Sequence, residues 1–79
     1  MTAGDDDGVR DVSITGDGIR LGQFLKLADL VHAGADVKIL LATAVVLVND
    51  EPEDRRGRQL VPGDVVQVGT DRLRVTSPE

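Results

Sequence analysis

Leu21-Gly22-Gln23-Phe24-Leu25-Lys26-Leu27-Ala28-Asp29-Leu30-Val31 carries its apolar residues at helical spacing. Leu21, Phe24, Leu25, Ala28 and Val31 share one stripe, while Gln23, Lys26 and Asp29 face away. Leu27 and Leu30 widen the face expected to be buried. Gly34 is the expected stop, because glycine tolerates the left-handed conformation that closes many helices.

On the N-terminal side of this helix, Val12 and Ile14 alternate with Ser13 and Thr15, the pattern of a short strand. Gly16-Asp17-Gly18 reads as the turn between them. On the C-terminal side, Asp36 is placed to cap a second, shorter helix with Val37, Leu40, Leu41 and Ala44 on its apolar side. Lys38 lies off that side. The apolar run Val45–Val48 predicts a strand with both faces largely covered. Asn49-Asp50 suits a tight turn, since both residues tolerate positive φ better than most. Residues 53–59 are polar and rich in arginine, and Pro62-Gly63-Asp64 is a turn. Val65, Val66 and Val68 form the next strand; Gly69-Thr70-Asp71 turns into a last one, where Leu73 and Val75 alternate with Arg72 and Arg74. The order, strand then two helices then several strands, predicts an α+β fold.

The chain has 79 residues, enough for one small domain, and 41% of them are hydrophobic. Phe24 is the only aromatic residue, which weakens any scheme in which bases stack on an aromatic platform. The absence of cysteine excludes disulfides and thiolate metal sites and fits a cytoplasmic setting. No apolar run approaches the roughly 20 residues of a bilayer span, so no membrane association is expected. The net charge of −5 is unevenly spread, because Asp5, Asp6, Asp7 and Asp11, with Arg10, contribute −3 of it. Residues 1–10 are expected to form a mobile acidic tail and residues 11–79 the domain. The remainder is nearly balanced, and its cations are grouped.

Ile19-Arg20-Leu21-Gly22-Gln23-Phe24-Leu25-Lys26-Leu27-Ala28, then Val46-Leu47-Val48-Asn49, Arg55-Arg56-Gly57-Arg58 and Leu60-Val61-Pro62-Gly63-Asp64-Val65-Val66 follow one another in a familiar order. In order and spacing they resemble a small stand-alone bacterial group of the S-four RNA-binding domain, over about residues 12–68. The resemblance implies a helix–turn–helix-like pair, the αL motif, packed on a small, mostly antiparallel β-sheet. It also implies a basic surface that holds folded RNA, often ribosomal RNA. Carried over by position, the candidate RNA-binding residues are Arg20, Lys26, Lys38, Arg55, Arg56 and Arg58. Three positions depart from the family pattern. Ala44 and Asp50 stand where glycine is usual, and Ala33 stands where a capping threonine is frequent.

Each candidate also has a purely structural use. Three guanidinium forks at Arg55, Arg56 and Arg58, with Gly57 allowing close approach, suit a ridge of phosphates. They could equally neutralise Glu51, Glu53 and Asp54 in a solvated loop. Arg20 precedes the first helix, whose free N-terminal amides also favour an anion, and Gly22 would let a phosphate approach. Lys26 and Lys38 are expected to flank one groove. His32, the only histidine, makes no metal site by itself. No Walker-type loop and no nucleophile–base set is visible, so no enzymatic activity, cofactor or small-molecule substrate is expected. The expectation is a cytoplasmic, monomeric protein that binds structured RNA. The rival readings are a protein-binding adaptor on the same scaffold and an accessory subunit of an RNA-modifying enzyme.

Overall fold

The helical stripe that starts at Leu21 forms α1 (Leu21–Leu27), four residues shorter than its apolar spacing predicts. Residues 8–77 are described by the computed structural model, and Asp5, Asp6 and Asp7 lie outside them. The helix ends because Asp29 takes the left-handed conformation, with φ 67°. Leu30 N donates to Leu25 O at 3.0 Å and Asp29 N to Lys26 O at 3.0 Å, the paired bonds of a Schellman closure. The stripe outlasts the helix because Ala28 and Val31 still enter the core after the chain has turned. Leu27 is exposed and Leu30 only half-buried, so neither forms the broad buried face that the spacing suggests.

Gly34 does not stop α1; it is the first residue of α2 (Gly34–Thr43). Ala33, not Asp36, is the N-cap, and no side chain caps it. Asp36 sits in the first turn and accepts a 3.4 Å hydrogen bond from His32 N. Of the apolar side expected for α2, only Val37 is fully buried; Leu40 and Leu41 pack partly against the core.

The strands are β1 (Val9–Ser13), β2 (Ile19–Arg20), β3 (Val46–Val48), β4 (Glu51–Pro52), β5 (Gln59–Leu60), β6 (Val65–Val68) and β7 (Asp71–Thr76). Five of them form one sheet in the order β1-β7-β6-β3-β4, and β2 pairs with β5 in a second. The fold is α+β with a mostly antiparallel sheet; only β1 runs parallel to its neighbour β7. The border expected at residues 10 and 11 falls inside β1. Val9 pairs with Arg72 and Arg10 with Leu73, pairings that composition does not reveal. Arg10 also donates from Nη2 to Ala28 O at 2.7 Å, placing a cation at the carbonyl end of α1.

Alternation along the strands sends Val46, Val48, Val66, Leu73 and Val75 inward. Val48 lies opposite Val66, and Val66 opposite Leu73, so one row of aliphatic side chains crosses the sheet. They meet Ile14, Leu21, Phe24, Leu25, Ala28, Val31, Val37 and Leu60 in a single cluster. Val45 is exposed and Leu47 half-buried, so β3 is covered on one face, not on both as the run of apolar residues suggests. Among the described residues no helix is long and apolar enough to cross a membrane.

The turns follow their residue types. Asn49 and Asp50 have φ of 54° and 71°, so the asparagine and aspartate hold the doubly left-handed hairpin turn that favours glycine. Asp64 N donates to Val61 O at 3.0 Å across Pro62 and Gly63, with Gly63 at φ 103°, as a type II turn requires. The two turns are tied together. Asn49 Nδ2 donates to Asp64 Oδ1 at 3.1 Å, Val65 N donates to Asn49 Oδ1 at 3.0 Å, and Val61 N donates to Asp64 Oδ2 at 2.9 Å. Ala44, in place of the usual glycine, has φ −119° and ψ 157°, an extended conformation open to any residue.

Candidate nucleic-acid interface

The loop between β4 and β5 is stitched to the start of α1. Ile19 pairs with Leu60 and Arg20 with Gln59, which brings residues 55–58 against the first helical turn. Leu21 N then donates to Arg58 O at 2.8 Å, and Gly22 N donates to Arg56 O at 2.9 Å. The first two amides of α1 are therefore spent on the loop and are not open to a phosphate, contrary to the expectation from the sequence. Gly22 has a different purpose as well. A Cβ there would stand 3.3 Å from Val37 Cγ1 and 3.4 Å from Arg56 Cβ, so the missing side chain lets α2 and the loop close on α1.

The arginine cluster divides. Glu53, with its side chain only 6% exposed, is gripped by two of its members. Arg55 Nε donates to Oε2 at 2.9 Å and Arg58 Nη1 to Oε1 at 3.0 Å, while Arg55 N adds a backbone bond at 3.1 Å. Those donors hold the Glu53 carboxyl at a pKa of about 2, the Arg55 side chain contributing most and Arg58 next. Arg58 is 30% exposed and Arg55 74%, so Arg58 is largely a loop fastener and Arg55 a fastener at the surface. Three parallel forks aimed at solvent are not what the loop presents. Charge neutralisation accounts for Glu53, but neither Glu51 nor Asp54 is paired among the described residues.

Arg56 points elsewhere and has no carboxylate partner among the described residues; Arg20, Lys26 and Lys38 have none either. Arg20, Lys26 and Arg56 line one open hollow of about 210 Å³ with Gln23, Gly34 and Gly57. Arg56 also borders a second hollow, of about 420 Å³, with Lys38, Leu41, Ala42 and Asp54. Thus Lys26 and Lys38 do not face each other directly. They belong to adjoining hollows that share Arg56. Four of the six sequence candidates come together on the side of the molecule formed by α1, α2 and the β4–β5 loop.

Sequence reasoning names Glu53 and Asp54 only as charges for the arginines to neutralise, and Gln23 only as a residue off the apolar stripe of the first helix; all three contribute to this site. Gln23 lines the first hollow, Asp54 the second, and Glu53 sets the loop. Glu53 left only a weak signal: an acidic residue two and five positions before arginines in a loop.

The sequence profile of the family described as "S4 domain" matches residues 12–76, from β1 to the end of β7. The chain belongs to the S4 domain family. A protein of Bacillus subtilis (strain 168) named "Probable ribosome maturation protein RlbA" is 54% identical over 57 residues, covering 72% of this chain and 80% of that relative. The S4 domain is an RNA-binding family, and the two helices and mostly antiparallel sheet seen here agree with it. The match extends over both hollows of this S4 domain and over the Asn49–Asp64 tie; it leaves out Val9–Asp11 of β1.

Proposed function

We propose that this S4 domain is a binding module for structured RNA, ribosomal RNA first, which seats backbone phosphates along the line Arg20, Lys26, Arg56 and Lys38. One observation carries the reading: four cations without carboxylate partners among the described residues gather in two adjoining hollows of a chain whose net charge is −5. Unpaired cations so grouped repel one another, and a polyanion relieves that repulsion. A-form RNA hides its major-groove base edges, so a surface of this kind engages phosphates and 2′-hydroxyls and reads shape. Arg55 and Arg58 serve the same site by holding the loop that presents Arg56. The name of the Bacillus relative ties that protein to ribosome maturation, which makes ribosomal RNA the substrate class to test first.

Fluorescence anisotropy with fragments of ribosomal RNA tests the proposal. If four phosphates are engaged, log K falls against log salt with a slope of roughly −3 to −4. A flat salt response would reject it. The adaptor reading has one observation in its favour, the exposure of Ile39 (59%) and Val45 on and beside α2. A protein partner that stays bound after nuclease treatment would decide for the adaptor.

A further inference from the structure

The two hollows differ in one respect that a phosphate-binding surface does not need. The smaller is lined by three cations and no carboxylate, whereas the larger is lined by Asp54 together with Lys38 and Arg56. Asp54 is exposed and makes no hydrogen bond or ion pair among the described residues, although Arg55 and Arg56 follow it in the chain. An unpaired carboxylate repels phosphate, so the second hollow is a poorer seat for one than the first. Its remaining walls, Leu41 and Ala42, are apolar and suit the flat face of a ring.

We propose that the larger hollow selects an unpaired guanine, with Asp54 as its specificity-determining residue; this rests on the phosphate-binding reading above. A carboxylate with both oxygens available matches two donors lying side by side. Guanine alone offers that pair, N1–H and the N2 amino group, on its pairing edge. Adenine and cytosine set an acceptor nitrogen beside their amino group, which one carboxylate oxygen would oppose. Uracil flanks its single N–H with two carbonyls. Guanine O6, adjacent to N1–H, is an acceptor for Lys38 or Arg56, the cations that line the same hollow. The pairing edge is occupied in a duplex, so the base must be bulged or in a loop, where RNA-binding proteins generally read sequence. The smaller hollow then holds the neighbouring phosphate through Arg20, Lys26 and Arg56.

The test uses RNA hairpins that differ only in one bulged base, guanine, inosine, adenine or uracil, titrated against the full chain and against Asp54→Asn. The native protein is expected to prefer the guanine bulge by roughly tenfold, the discrimination typical of a good bidentate pair. Inosine, lacking the N2 amino group, should fall between guanine and adenine. Asp54→Asn should lose the preference for guanine, with hairpins lacking guanine bound no more weakly than before. If the native protein ranks the bulges equally, or if Asp54→Asn tightens every hairpin by the same factor, Asp54 is only a repulsive charge and the proposal fails. Failure of all hairpins to bind at low salt would overturn the phosphate reading beneath it, and this proposal with it.

Discussion

The two helices are close in composition and opposite in placement. The seven residues of α1 include four that are buried, Leu21, Gly22, Phe24 and Leu25, whereas the ten residues of α2 include one, Val37. The first helix is part of the core and happens to touch the site. The second is laid on the surface, held by Val37 and the half-buried Leu40 and Leu41, and turns the rest of its residues outward. The lesson is that apolar content does not report burial. What separates the helices is the position of each relative to the sheet, and the division leaves α2 available for contact.

The sharpest way to break this contrast is to truncate one residue from each helix. Phe24→Ala should cost about 3–5 kcal/mol, a large share of the stability of so small a domain. Ile39→Ala should change it by no more than about 0.5 kcal/mol. Urea denaturation followed by circular dichroism measures both; similar losses would mean that α2 is more deeply seated than its exposure indicates.

A second contrast lies within the arginine loop. Arg56→Ala should weaken RNA binding about tenfold and reduce the salt slope by about 0.7–0.9 while leaving the urea midpoint in place. Arg58→Ala should instead lower the midpoint, because it leaves Glu53 with a single clasp. Equal effects of the two on affinity, with neither affecting stability, would return Arg58 to the contact surface.

The clasp also gives a pH dependence. Glu53 has a folded-state pKa of about 2, below the ordinary 4.5. Its stabilising effect is therefore complete above the ordinary value and is lost as the pH falls from there through about 2. Since both arginines remain in contact with water, the effect at pH 7 is on the order of 1 kcal/mol. Glu53→Gln should show that loss at pH 7 and converge with the native protein near pH 2. A difference that persists unchanged at low pH would assign the loss to packing. The smallest effect concerns the uncapped start of α2. Ala33→Ser should stabilise the domain by about 0.5–1 kcal/mol, read as a rise in the urea midpoint.

Much of this architecture was legible because its elements obey local rules. The start of α1, the Asn49-Asp50 and Pro62-Gly63 turns and the inward Leu73 and Val75 all follow from spacing and turn chemistry. The end of α1 did not, because Ala28 and Val31 keep the helical spacing while a left-handed aspartate breaks the helix. Nor did the strand status of Val9 and Arg10, which depends on pairing with residues more than sixty positions away. At the site, residue type identified the cations, and tertiary pairing then sorted them. No feature of Arg55-Arg56-Gly57-Arg58 taken alone tells which of its arginines will find Glu53.

The parallel pairing of β1 with β7 fixes where the two ends of the domain emerge. Val9 lies beside Arg72, at the start of the last strand, and Ser13 beside Thr76, at its finish. The chain thus enters at one end of this strand pair and leaves at the other, separated by about 20 Å at roughly 3.3 Å per residue. A circular permutant joining residue 77 to residue 8 would need a linker of six or more residues. Domains fused directly at residues 8 and 77 would project from opposite ends of the sheet.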